Sequence, residues 1–173
     1  MEIVRCTAEN TAETAAFYDR VVEYLDNNIN YPRWTRGDYP SEKSVKKAIN
    51  AGEQYAVTEN GRILGAFILN TDPQGDYSKG CWSIDLNDGD YYVIHTLAVD
   101  PDQYGKGIAE KIIDYCISSA SDHGLGAIRL DVVPDNFPAR KLYERKGFTF
   151  AGEKDLGRGI DFIPRFALYE LNF

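Results

Sequence analysis

The sequence predicts an α/β (α+β) protein in which a mixed sheet of about seven strands is flanked by about four helices. The order of apolar patterns is β-α-α-β-β-β-α-β-α-β-β, which is not the strict alternation of a doubly wound sheet. The 173 residues include 43 % hydrophobic residues, with 8 Phe, 12 Tyr and 2 Trp, enough to fill a real core. One domain spanning residues 1–173 is the expectation from this length.

Each element has its own signal. Glu2 to Arg5 is strand-like, and cap-type residues from Thr7 to Asn10 precede a helical pattern through Phe17, Val21, Val22 and Leu25 that runs to about Asn28. Residues 29–40 form an irregular, aromatic segment holding Tyr31, Trp34 and Tyr39, which either binds a ligand or lids the core. Ser41 then opens a second helix that ends near Asn50. Gln54–Thr58 and Ile63–Leu69 read as a hairpin, because Asn60-Gly61 between them suits a tight turn. Residues 70–90 carry turn formers and five aspartates, a surface excursion anchored by Trp82. Tyr91 to Val99 is an unbroken strand-like run, and Gly107–Ser121 is helical with Ile108, Ile112, Cys116 and Ala120 at i+4 spacing. A strand over Ala127–Val133, a short helix over Phe137–Lys146 and strands over Phe148–Glu153 and Phe162–Leu171 complete the chain. Right-handed crossovers are expected for the two central β-α-β units.

Composition excludes several classes of function. The net charge of −8 opposes broad adhesion to nucleic acid or to anionic membrane, both of which want clustered positive charge. Residues 1–90, with 15 acids and 9 bases, carry −6, whereas residues 91–173, with 12 and 10, carry −2 and are better suited to an anion. Cys6, Cys81 and Cys116 are an odd number without metal-ligand spacing, so no metal is expected and the thiols read as reduced, in a cytoplasmic protein. Neither a basic-then-apolar leader nor a run of ~18 apolar residues is present in the sequence.

The chemically informative stretch is Leu97-Ala98-Val99-Asp100-Pro101-Asp102-Gln103-Tyr104-Gly105-Lys106-Gly107-Ile108-Ala109. A strand ends at Val99, Asp100-Pro101 turns the chain, and two glycines open a helix whose first N–H groups lack intrahelical acceptors. Free donors and the positive end of the helix dipole suit a phosphate or pyrophosphate, with Lys106 adding charge. The P-loop pattern fails because Gly107 follows Lys106, and Gly-x-Gly-x-x-Gly fails at Glu110.

This stretch resembles the acyl-CoA pyrophosphate loop of the GNAT superfamily of N-acyltransferases, whose pattern is Gln/Arg-x-x-Gly-x-Gly/Ala. Gly107 and Ala109 match its last two positions, and Tyr104 stands where Gln or Arg is usual. Val133-Pro134-Asp135-Asn136, then Ala139, Leu142-Tyr143 and Gly147-Phe148, resemble the second signature of the family. The resemblance implies a mostly antiparallel sheet and an acetyl-CoA-dependent N-acetyltransferase that moves acetyl to a primary amine by direct attack in a ternary complex. It implies a cradle for the cosubstrate at Tyr104, Gly105, Lys106, Gly107, Ile108 and Ala109, and pairing of the pantetheine arm with Leu97, Ala98 and Val99. Asn136 and Tyr143, seven residues apart, share a helix face and suit one elongated ligand, although Asn136 is equally suited to cap that helix.

Amine attack on a thioester needs a neutral amine, a polarised carbonyl and a proton for the thiolate. The resemblance implies Tyr143 as general acid, the other role for such a ring being to anchor the helix. His95, two residues before Leu97 and so on the same strand face by simple alternation, serves as base or as a packed strand histidine. The acceptor pocket is expected to use Tyr31, Trp34, Tyr39 and Trp82, with acids such as Glu23 or Asp85 attracting a cationic amine. Arg140, Lys141, Arg145 and Lys146 either favour the CoA 3′-phosphate or form a solvated face. The acceptor is an amine-bearing small molecule or a protein N-terminus, and homodimers are frequent in such folds. A domain that binds acyl-CoA without turnover is the alternative.

Overall fold

The computed structural model describes residues 1–173. Seven strands, β1 (Glu2–Arg5), β2 (Gln54–Glu59), β3 (Arg62–Asn70), β4 (Tyr91–Val99), β5 (Ala127–Val132), β6 (Thr149–Lys154) and β7 (Phe166–Asn172), run in the order β1-β2-β3-β4-β5-β7-β6. Four helices accompany them: α1 (Thr11–Asp26), α2 (Glu42–Asn50), α3 (Ile108–Asp122) and α4 (Phe137–Arg145). β4 and β5 pair in parallel, whereas β1 with β2, β2 with β3, β5 with β7 and β6 with β7 are antiparallel. The mixed, mostly antiparallel sheet read from the sequence is therefore the one observed.

The chain divides into two compact units, Met1–Asn30, Trp34–Leu69 and His95–Tyr115 in the first, and Tyr31–Arg33, Asn70–Ile94 and Cys116–Phe173 in the second. In the first unit the period-two alternation of β2 and β3 separates two packing faces. Ala56, Ile63, Ala66 and Ala98 pack with Phe17, Tyr18, Val21 and Leu25 of α1 and Val45 and Ile49 of α2. Gly65 faces α3 instead: a Cβ on it would lie 3.0 Å from Cγ2 of Ile108 and 3.1 Å from the Ala98 carbonyl oxygen. Tyr55 and Phe67 stack at 5.3 Å between ring centres, and both contact the Tyr115 ring. The Asn60-Gly61 turn has both residues left-handed (φ 51° and 74°), the conformation of a type I′ hairpin turn. At the start of α2 the Ser41 and Ser44 side chains cap each other's backbone N–H, which satisfies two donors left over by the helix.

In the second unit, one face of β5 and β7 presents Ala127, Phe166 and Leu168 to a core built with Tyr77, Tyr91, Val93, Ala151, Leu156 and Ile163. The opposite face receives α4, whose Tyr143 ring lies 5.8 Å from Phe148 and 6.2 Å from Tyr169. Strand β7 starts at Phe166, four residues later than the apolar run suggests. Pro164 explains the delay, since it has no N–H to give to a ladder, and pairing begins only with Phe166 opposite Lys154. β7 pairs with both β5 and β6, so β6 is not a neighbour of the strand that precedes it in sequence.

Because the space at Gly65 is already filled by Ile108 and the Ala98 carbonyl, replacing it should loosen the seat of α3. Gly65→Ala is expected to cost about 1 kcal/mol and Gly65→Val about 2–3 kcal/mol, as overpacking does, read as a lower urea midpoint with an unchanged m-value.

Candidate functional site

Within the first unit, β4 leads into the glycine loop and α3. Thr96, in the middle of β4, adopts the left-handed conformation (φ 52°), which costs a β-branched residue about 1–2 kcal/mol. Two contacts hold it there. The Tyr18 hydroxyl, itself buried and accepting from Gln54 Nε2 at 3.3 Å, donates to the Thr96 carbonyl at 2.9 Å, and the Tyr39 and Thr96 hydroxyls hydrogen-bond to each other. Net values of about 1 kcal/mol per hydrogen bond are enough to offset the backbone cost. The kink interrupts the alternation of the strand, and Val93, Ile94 and His95 are buried in succession. The two-residue parity that placed His95 on the face of Leu97 therefore does not apply across Thr96. His95 is 9 % exposed, Ala98 is buried, and Leu97 and Val99 are half-buried.

Asp100 terminates the strand as a buried anchor for the loop. Its N–H donates to Leu64 O (2.9 Å), one carboxylate oxygen accepts from Asp102 N–H (3.0 Å), and the other binds Arg62 (2.7 Å). Neither Asp100 nor Arg62 stands out in the sequence, because the pair is brought together by the hairpin next to the loop. Gly105 (φ 78°) and Gly107 (φ 76°) are both left-handed, and nothing lies within 4 Å of the position a Cβ would take at either. The backbone conformation demands glycine, and the open space lets a ligand approach. The first backbone bond across the start of α3 runs from Lys111 N–H to Gly107 O (3.0 Å), and the N–H groups of Gly107, Ile108 and Ala109 make no backbone bond. These donors, the helix dipole and open glycines fit the diphosphate of an acyl-CoA. Lys106 is tied to Gln103 Oε1 at 3.0 Å, Ile108 is buried, and Tyr104 is 50 % exposed with its ring edge-on to Tyr24 at 5.8 Å.

In the second unit, Asn136 caps α4: its Oδ1 accepts from Ala139 N–H at 3.2 Å. Tyr143 follows two turns on and is 7 % exposed. Burial, and after it the charge of Asp131 and the Cys116 thiol, raise its pKa, so the phenol stays protonated at neutral pH. Its hydroxyl makes no hydrogen bond within the protein, which leaves it able to donate to a ligand. Tyr169 ties α4 to the sheet, since its hydroxyl donates to Glu144 (2.7 Å) and accepts from Arg140 Nε (2.9 Å). Arg140 thereby serves the helix seat rather than a solvated face.

The four aromatic residues expected at the acceptor do not belong to one unit. Trp34 and Tyr39 belong to the first, where Trp34 packs edge-on against Tyr18 at 6.2 Å. Tyr31 and Trp82 belong to the second, where the Trp82 indole N–H donates to Tyr77 O (2.6 Å) and its ring covers the Arg129 guanidinium. Asp131, unmarked in the sequence, is gripped there by two Arg158 nitrogens and the Tyr77 hydroxyl, all at 2.7 Å. No three His, Cys, Asp or Glu side chains converge as a metal site would require, and no helix is long and apolar enough to cross a membrane.

Buried phenols give the protein a defined alkaline limit. Burial pushes Tyr18, Tyr77 and Tyr143 up, and burial with the Asp88 contact pushes Tyr91 up to about 12. Between the unfolded value of about 10 and these folded values the native state holds protons that the unfolded chain has released. The contribution of these phenols should therefore be constant below about pH 9 and fall as pH rises from about 10 towards 12, as denaturant midpoints measured between about pH 8 and 12 will show.

Comparison with known proteins adds to this geometry. The sequence pattern of the Acetyltransferase (GNAT) family matches residues 15–148. Over 119 residues the chain is 32 % identical to the S-(2-succino)cysteine N-acetyltransferase of Bacillus subtilis, covering 66 % of this chain and 66 % of that protein. It is 34 % identical over 91 residues to the mycothiol acetyltransferase of Geodermatophilus obscurus, covering 53 % of this chain but only 27 % of that longer protein. Among solved structures, a GNAT-family acetyltransferase from Streptococcus agalactiae superposes with a TM-score of 0.80 at 15 % identity, covering 99 % of this chain and 95 % of the other. The ribosomal-protein-S18-alanine N-acetyltransferase of Escherichia coli gives 0.69 at 17 % identity, covering 99 % and 92 %. At such identities the structural matches speak for the fold alone.

Proposed function

Since the chain belongs to the GNAT acetyltransferase family, we propose that it transfers acetyl from acetyl-CoA to a primary amine, by direct attack within a ternary complex. The observation that carries the proposal is the loop before α3, with two left-handed glycines open to a ligand and three N–H donors at a helix start. Tyr104 lines that cradle in place of a longer polar side chain, and Leu97, Ala98 and Val99 offer strand backbone to the pantetheine arm and to the thioester carbonyl.

Tyr143 is the general acid. As the amine attacks and the C–S bond breaks, the phenol gives its proton to the departing thiolate. Burial raises the phenol above its ordinary value of about 10, and a thiolate leaving in similarly dry surroundings is raised from about 8.5 by the same cause. The two groups thus move together, as the Cys116 thiol, pushed up by burial, illustrates. His95 takes the proton from the amine. Asn136 caps α4 through its Oδ1, and its amide N–H₂ is the group it offers to the cosubstrate. The acceptor is a small-molecule amine or a protein N-terminus, bound with the help of Trp34 and Tyr39 of the first unit. The protein acts in the cytoplasm, as one domain, without a metal.

Release of CoA thiol from acetyl-CoA with an amine panel that includes S-(2-succino)cysteine, polyamines and N-terminal peptides tests the proposal. Tyr143→Phe should lower kcat by roughly 10²–10⁴-fold, the usual contribution of a general acid, with the Kd for CoA changed less than about threefold. Equal turnover by wild type and variant would remove Tyr143 as the acid; CoA binding with no turnover of any amine would instead favour a binding domain. His95→Gln should erase the acidic limb of the kcat/KM pH profile, and an unaltered limb would exclude it as the base.

A further inference from the structure

The second unit contains a cavity of about 530 Å³ that includes no residue of the glycine loop and neither Asn136 nor Tyr143. Arg129 of β5 forms part of its wall and is only 2 % exposed. Its guanidinium lies between the rings of Trp82 and Tyr91, 4.3 Å from each centre, and donates one hydrogen bond to Ile84 O at 2.8 Å. Its Nε has no hydrogen-bond partner. Glu170, also 2 % exposed, stands opposite it in the β5–β7 register; one Glu170 oxygen accepts from the N–H and hydroxyl of Ser83, 2.7 Å each, and the other is buried without a hydrogen-bond partner, forming no ion pair with Arg129. Ring faces and the charge of Glu170 across the strand pair compensate this buried cation without an ion pair, so the guanidinium retains hydrogen-bonding capacity for an anionic group.

The other charges on the wall have the opposite sign. Asp76, Asp85 and Asp88 all line the cavity. Asp76 is partly neutralised by Lys79 at 3.6 Å and Asp88 accepts from the Tyr91 hydroxyl at 2.6 Å, whereas Asp85 is exposed and has no partner. Three carboxylates against one guanidinium leave the wall with an excess of negative charge. The cavity therefore asks for one anionic group, more than one cationic group, and an apolar stem to lie along the aromatic rings. Its volume is in the range that holds small metabolites.

We propose that this cavity is a second ligand site, for a free basic amino acid: the carboxylate reaches Arg129, and the two amino groups meet Asp85 and Asp88. The site is separate from acetyl transfer and does not depend on it.

L-lysine is the probe. Calorimetric titration of the full chain without acetyl-CoA should show lysine binding at least tenfold tighter than putrescine, which lacks the carboxylate, or glutarate, which lacks the amines. Lysine should quench Trp82 emission in a Trp34→Phe background, and Asp85→Asn, an exposed change that leaves the core intact, should weaken lysine binding about five- to tenfold. CoA should not displace the lysine. Equal affinity for the three probes, an unaffected Asp85→Asn, or displacement by CoA would each overturn the proposal, the last by placing lysine at the acyl-transfer site. Failure of amine acetylation would leave these binding readouts unchanged and so bears on the catalytic proposal alone.

Discussion

The hydrogen bond from the Tyr18 hydroxyl to the carbonyl of Thr96 is the contact on which the course of β4 depends. A threonine in the left-handed region is held against its own backbone preference, and such strain persists only where neighbouring structure over-determines it. Tyr18 is fixed from both sides, by α1 packing on Phe17 and Val21 and by Gln54 reaching from β2. The kink re-aims the last residues of β4, which run straight into Asp100 and the glycine loop. A strained strand centre, a buried carboxylate at its end and two left-handed glycines follow one another within twelve residues.

The second unit uses polar groups in a different way. Asp131, Tyr77 and Arg158 are mutually satisfied, as are Arg140, Tyr169 and Glu144, so the polar chemistry around α4 is mostly spent on rigidity. Tyr143 is the exception, a buried ring whose hydroxyl has no protein partner. Arg129 is another, with a buried nitrogen that nothing in the protein satisfies. Natural structures seldom leave a buried donor such as Arg129 Nε idle without a reason, and this nitrogen and the Tyr143 hydroxyl are the positions that carry the functional proposals for this half of the chain.

Much of this was legible beforehand, for identifiable reasons. Apolar positions at i+4 spacing along α3 all proved buried, because a helix against a sheet has one dry side. The Asn60-Gly61 turn and the glycines before α3 were legible because left-handed backbone selects those residue types. The left-handed Thr96 was not, since threonine gives no hint of it and the cause lies in Tyr18, far away in sequence. The late start of β7 was readable in principle from Pro164, whose missing N–H outweighs the apolar run around it.

The sequence by itself determined the element order, the mixed sheet, the glycine loop before α3 and the candidates Asn136 and Tyr143, because periodicity, turn chemistry and local motifs are written in neighbouring residues. Only the tertiary structure decided how those residues are employed: that Asp100 pairs with Arg62, that Gly65 makes room for α3, and that a left-handed Thr96 breaks the strand alternation between His95 and Leu97. It also decided that Trp82 covers Arg129 in the wall of a cavity. Each of these depends on side chains meeting across strands and helices, and the energy of such contacts is set by distance and burial, which residue order does not specify.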